Sequence, residues 1–237
     1  MPGRFSHQLK KTIFAPNVYW PIAQIRSRVE EATGLPVVVD NVANACVLSE
    51  VWFGNSDEAH DIVVVNVSEG IGTGIFVNGG LARGAGDMAG EFGHVQIDRN
   101  GIQCGCGSRG CWETLASNRA GLRYYKERTG RSLISIDELM LLAEKNDPGA
   151  IDAVTRMCEA LGRGMHMIVT TLAPSEIVFV GEITRLWSVA YPIIDAELHR
   201  FPLTAIPALR RATEPDTARL RSAVALVMAV VPLPNRK

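Results

Sequence analysis

Three cysteines, Cys104, Cys106 and Cys111, crowd into one glycine-rich stretch, and His94 stands ten residues before the first of them. One imidazole and three thiolates complete the tetrahedral shell of a zinc ion, and the intervening glycines let the backbone turn so that the sulfurs converge. Four protein ligands leave no position for water. The metal is therefore expected to be structural, cross-linking the loop rather than activating a nucleophile. The alternative reading is a set of small buried apolar side chains beside an ordinary histidine, which three cysteines so close together disfavour. Cys46 and Cys158 fall in helical patterns and read as core residues. A total of five cysteines is odd, which argues for reduced, metal-binding use in the cytoplasm rather than a disulfide framework.

The elements that must carry this loop are those of an α/β protein. Pro21 at a first helical position, apolar residues Ile22, Ile25 and Val29 at helical spacing, and Gly34 as terminator predict a helix over 21–33. A short β-branched run at 35–39 reads as a buried strand, and a second helix over 42–53 is closed by Gly54. Strands follow at 62–67 and 74–77, joined by a glycine-rich turn through Gly72, and Asn78-Gly79-Gly80 signals a hairpin, so this part is a meander. Taken alone, Gly70-x-Gly72-x-Gly74 reads as a turn more readily than as a phosphate loop. Ser135 with Glu138 forms a capping box. A long helix is expected over 148–172, where Gly162 and Gly164 each weaken it by about 1 kcal/mol relative to alanine, so close packing should explain them. A further strand at 177–180 and helices at 184–199 and 217–231 complete the pattern, and no internal repeat is visible.

Composition fits this reading. The chain has 237 residues, of which 47% are hydrophobic and 21% charged, with a net charge of −1. Those values exclude disorder and give no electrostatic reason for this chain to hold nucleic acid by itself. No apolar run approaches the roughly 18 residues of a spanning helix, and no apolar core of a signal peptide follows the basic residues near the N-terminus, so no membrane association is expected.

The string Met88-Ala89-Gly90-Glu91-Phe92-Gly93-His94, the spacing to the three cysteines and the closing Glu113 resemble the signature of the ROK family of sugar-responsive repressors, sugar kinases and uncharacterised reading frames. Asp40-Asn41-Val42-Ala43-Asn44-Ala45 is similar to the family's E-N-D-A-N-A segment, residues 68–74 to its second phosphate loop, and residues 177–181 to its adenosine-side strand. The resemblance implies an actin-like, ribonuclease-H-like fold with two lobes around a sugar cleft, and a dimer or tetramer. It implies a small-lobe remnant at 1–58 with 218–237, and a large lobe with the zinc loop at 59–217. Family members begin with a phosphate motif, and repressors place a winged helix-turn-helix before it. The chain matches from the middle of the first lobe, so it is expected to be a fragment or mis-started frame, with exposed sheet edges.

By the same resemblance Asn41, Glu91, His94 and Glu113 face the sugar, with His94 serving metal and cleft through its two ring nitrogens. The alternatives are that the two glutamates only accept backbone hydrogen bonds around the loop and that Asn41 only caps a helix. The kinase general base falls at Val42, which cannot accept a proton, so no catalytic residue is assigned. Glu69, Gly70, Gly72 and Gly74 form a phosphate-loop remnant. There Glu69 would repel phosphate unless a cation intervened, and Glu182 would fill space a nucleotide needs, so ATP is not expected. The reading is the effector-binding and oligomerisation region of a ROK-type regulator that binds a monosaccharide without consuming it. It would reach DNA only through an N-terminal helix-turn-helix that this chain lacks. The alternative is an ATP-dependent, glucokinase-like sugar kinase in which Asp40 replaces the lost base.

Overall fold

The structure, a computed structural model, describes residues 3–6, 11–14, 25–54, 61–200 and 205–230. An antiparallel strand pair, β1 (Arg4–Ser6) and β2 (Lys11–Phe14), comes first, followed by helices α1 (Ile25–Thr33) and α2 (Val42–Phe53). A five-stranded sheet then forms from β3 (Ile62–Val67), β4 (Ile71–Val77), β5 (Gly80–Leu81), β6 (Glu176–Gly181) and β7 (Ala208–Arg211), in the order β5-β4-β3-β6-β7. The meander β3-β4-β5 is antiparallel, whereas β6 and β7 add in parallel on the other side of β3. Helices α3 (Glu113–Ala116), α4 (Asn118–Thr129), α5 (Ile136–Glu144) and α6 (Pro148–Leu172) lie between β5 and β6. Helix α7 (Trp187–Leu198) precedes β7, and α8 (Ala218–Val230) follows it.

The apolar run Ile62–Val65 of β3 follows from having helices on both faces. Successive side chains alternate, so Val63, Val65 and Val67 enter the core beneath α4–α7 while Ile62 and Val64 meet α2 and α8. In β6, Ile177 and Phe179 join the first cluster, and Val178 and Val180 the second. Ser117, Ser135 and Asp147 cap α4, α5 and α6 through side-chain oxygens, as the sequence signals at Ser135 and Pro148 require. Glu138 reaches the amide of Ile134 at 3.0 Å, one residue before the cap, a variant of the expected box.

Four expectations need correction or qualification. Residues 35–39 do not form a strand: no strand pairs with them among the described residues, and Val38 packs against α2 and α8 instead. The glycine-rich turn ends at Gly70. Gly72 and Gly74 lie within β4, beneath the start of α2, where a Cβ on Gly74 would meet the Ala43 carbonyl oxygen at 2.2 Å. The expected helix at 184–199 begins as a 3-10 segment, Glu182–Leu186, before α7. The start of the first helix, with Pro21, lies outside the described residues. The sheet edges are two-residue β5 and β7, whose Arg210 and Arg211 make it a poor template for further pairing. No helix among the described residues is long and apolar enough to cross a membrane.

Candidate functional site

Helix α2 starts at Asn41, whose side-chain oxygen accepts from the Ala43 amide at 2.8 Å, an N-cap arrangement. Its Nδ2 donates to the Gly3 carbonyl at 2.9 Å, tying the segment before β1 to the helix start. Asn41 is thus a cap, and it also lines a small polar pocket with Asp40, Asn44, Thr73, Asp87 and Glu91. Val42 follows as the first helical residue, half-buried against the α2–α8 core, and the first turn carries no acidic residue. Asp40 is buried and engaged. Its Oδ1 accepts from the Asn41 amide at 2.7 Å and Asn44 Nδ2 at 3.0 Å, and its Oδ2 accepts from Arg83 Nη2 at 2.6 Å. A carboxylate with its lone pairs so occupied has little to offer a substrate hydroxyl, which counts against Asp40 as a substitute base.

The turn 90–94 lies flush on β4 because two of its residues are glycine. Gly90 is left-handed at φ 86, and a Cβ there would fall 2.2 Å from the Thr73 carbonyl oxygen; at Gly93 it would fall 2.1 Å from that of Ile71. Thr73 Oγ1 donates to the Gly90 carbonyl and pins the turn. Glu91 is thereby held in the pocket wall and His94 beside the cysteines. The ligand atoms of His94, Cys104, Cys106 and Cys111 all lie within 4.8 Å of one another. The Cys106 and Cys111 sulfurs are 3.6 Å apart, as are Cys104 Sγ and His94 Nδ1. A tetrahedron with metal–sulfur bonds of about 2.3 Å has edges of about 3.8 Å, so the four residues fit a metal ion.

His94 spans the two features. Nδ1 faces the cysteines, and Nε2 lies 3.8 Å from Glu91 Oε2. Glu113 Oε1 is 3.6 Å from Nδ1 and accepts from the Cys104 thiol at 3.1 Å. Burial pushes the Cys104 thiol up, with Glu113 adding to the shift, and burial also raises Cys111. A divalent cation among the four residues would invert that balance by stabilising thiolates. Cys46 and Cys158 stand apart as buried core thiols, pushed up to about 11 and about 12 by burial. The loop is anchored by Trp112: its amide donates to Val95 O at 2.9 Å, and its fully buried indole donates to Ala160 O of α6 at 2.8 Å.

A second cleft opens at the carboxyl end of β6, lined by Gly181, Glu182, Thr184, Arg185, Asp216 and Arg219 among others. Glu182 accepts from Arg219 Nη1 at 2.8 Å and from Asn118 Nδ2 at 2.8 Å. Burial acts to raise its carboxyl, but the bonds from Arg219 and Asn118 outweigh it and leave the group below its ordinary 4.5. Arg219 also reaches Asn66 Oδ1 at 3.4 Å and Val67 O at 3.5 Å, so it ties α8 to the end of β3. Ser68, Glu69 and Gly70 form the β3–β4 turn, closed by the Ser68 amide on Gly70 O at 2.9 Å. Glu69 is exposed and pairs with Arg119 Nε at 3.0 Å, so a cation does stand beside it and Glu69 alone does not argue against phosphate. Arg83, Asn118 and Arg219 escape sequence reasoning because their partners lie in other segments: Arg83 meets Asp40, and Asn118 and Arg219 meet Glu182, only once the sheet has formed.

The sequence model of the ROK family matches residues 1–229. The chain belongs to the ROK family. Against the xylose repressor of Bacillus subtilis it is 36% identical over 169 residues, covering 71% of this chain but 44% of the repressor, so it spans less than half of that relative's length. Among solved structures, a ROK family glucokinase from Streptomyces griseus in complex with glucose and AMPPNP superposes with a TM-score of 0.86 at 29% identity, covering 94% of this chain and 78% of that one. A ROK family transcriptional regulator, a homologue of the E. coli Mlc protein, gives 0.80 at 27%, covering 97% and 61%. This ROK chain therefore has the actin-like ATPase fold, with a His/Cys group that could bind a metal. Its relatives include both repressors and kinases, so membership alone does not choose between the two roles.

Proposed function

We propose that this chain is the sugar-binding and oligomerisation region of a ROK-type transcriptional regulator, reading a monosaccharide or sugar derivative without phosphorylating it. The observation that carries the reading is Val42. The family resemblance puts the kinase general base at the first position of α2, where this chain has an apolar side chain, and the neighbouring Asp40 is taken up by Arg83 and Asn44. Glu182, held in the second cleft by Arg219 and Asn118, supports the same reading, because its side chain would take up space that a nucleotide needs. Asn41, Glu91, His94 and Glu113 would supply the sugar contacts.

Zinc held by His94, Cys104, Cys106 and Cys111 would act as a structural cross-link that keeps Glu91, His94 and Glu113 in place. Residues 1–58 with 218–237 form the small-lobe portion in this proposal, and 59–217 the large lobe. Sugar would favour one closure of the two lobes in a cytoplasmic dimer or tetramer, and DNA would be reached through a helix-turn-helix outside this chain. The second reading, an ATP-dependent sugar kinase, draws support from the likeness to the glucokinase holding glucose and AMPPNP. Titration calorimetry of the metal-loaded protein against a panel of pentoses, hexoses and amino sugars tests the proposal. Saturable binding of one of them is expected, and no binding across the panel would overturn it.

A further inference from the structure

Resting on the metal reading but not on the sugar one, we propose that Cys106 is a peroxide-sensitive modification site whose oxidation forms a disulfide with Cys111 and dismantles the metal-binding group. The three cysteines of the loop differ in access: Cys104 and Cys111 are buried, whereas Cys106 is half-buried. Its neighbours Gly105, Gly107, Ser108 and Arg109 are exposed, and a Cβ on Gly107 would meet nothing within 4 Å, so an oxidant as small as hydrogen peroxide has a path to this sulfur. Metal ligation keeps cysteines as thiolates, which is the form that reacts with peroxide.

The second sulfur is already in place. Cys106 Sγ lies 3.6 Å from Cys111 Sγ, and a disulfide needs about 2.0 Å. Cys111 is the fixed member, fully buried and followed by Trp112, which is tied to Val95 O and Ala160 O. Cys106 stands between two glycines, so the closing movement falls to it. Cys104 is engaged by Glu113 Oε1 at 3.1 Å and by His94 Nδ1 at 3.6 Å, which leaves Cys106 and Cys111 as the pair to link. The Cys106 thiolate attacks a peroxide oxygen, the O–O bond breaks, and the departing hydroxide takes a proton to become water, leaving a sulfenic acid. The Cys111 thiolate then attacks Cys106 Sγ; the S–S bond forms, the S–O bond breaks, and the second hydroxide leaves as water after protonation. Two electrons pass from the sulfurs to peroxide, and solvent supplies two protons. His94 and Cys104 remain, two donors where a closed site needs four. Small thiols such as glutathione reverse the change, as suits a sensor in a reducing compartment.

The test treats the metal-loaded full chain with hydrogen peroxide and follows released ion with a chromogenic chelator, free thiols by titration and the disulfide by peptide mapping. One ion should be released for every two thiols lost, the linked pair should be Cys106 with Cys111, and dithiothreitol with added zinc should restore both counts. Cys106→His, which keeps a zinc donor but cannot form the disulfide, should lose its ion at least about tenfold more slowly under the same peroxide. Should that variant fail to load, the wild-type peptide map alone decides. Retention of the ion while peroxide oxidises the exposed Met88, release without thiol loss, a link through Cys104, or equal rates in loaded Cys106→His would each overturn the assignment. A reduced chain that takes up no metal would overturn the metal reading and this assignment with it, whatever its sugar binding.

Discussion

Gly164 lies in the middle of α6, and replacing it by alanine sets two effects of opposite sign against each other. Helix propensity favours the substitution by about 1 kcal/mol. Packing opposes it: a Cβ at 164 would fall 2.1 Å from Cε2 and Nε1 of Trp112, well inside contact distance. The indole has nowhere to go, since it is fully buried and its Nε1 is bonded to Ala160 O at 2.8 Å. Overpacking in a core costs about 1–3 kcal/mol, and a blocked ring belongs at the upper end, so packing wins by about 2 kcal/mol. In a chain of this size that is a fall in Tm of about 4–8 °C. Because Trp112 sits between Cys111 and Glu113, the displacement should also weaken metal retention. Urea unfolding together with metal content per chain reads both effects. A Gly164→Ala protein that is more stable than wild type, as propensity alone requires, would refute the packing argument.

Three further outcomes follow from the geometry. Chelation, or Cys106→Ser, should lower thermal stability, because an ion held at a thousand times its dissociation constant stabilises the fold by about 4 kcal/mol; a melting curve indifferent to both would remove the metal from the account. Glu182→Gln tests the depressed carboxyl. The wild-type advantage should be fully present above the unfolded value near 4.5 and vanish as pH falls through the lower folded value, and it should stay within about 1 kcal/mol because Arg219 is 40% exposed. Urea midpoints at stepped pH check this, and an advantage that grew on acidification would contradict it. Glu50 is 1% exposed and receives Arg210 at 2.6 Å and Arg221 at 2.9 Å, so Glu50→Ala should cost about 3 kcal/mol in urea unfolding, whereas Arg119→Ala on exposed Glu69 should cost about 1 kcal/mol or less.

What was legible in the sequence had local causes. The buried run of β3, the cap at Ser135, the proline start of α6 and the convergence of three cysteines with His94 are each written in a few neighbouring residues, and the structure places them as expected. Gly162 and Gly164 were readable as close-packing positions, and a Cβ on Gly162 would indeed lie 2.4 Å from Glu197 Cβ. Residues 35–39 misled because a β-branched run signals extended backbone, whereas a strand also needs a neighbour to pair with. β7 was missed because Ala208–Arg211 ends in two arginines, and its strand character comes from the edge of β6. The ion pairs Asp40–Arg83, Glu182–Arg219 and Glu50–Arg210 join residues far apart along the chain, and only the order of the sheet brings them together.

The central claim, a cleft that holds a sugar but lacks the group to deprotonate it, is tested most directly by measuring ADP release at saturating sugar and ATP on the same metal-loaded preparation whose sugar binding has been established by calorimetry. The account predicts saturable sugar binding with ADP formation no faster than in the sugar-free control. Sugar-dependent ADP release, accompanied by a phosphorylated product, would contradict it.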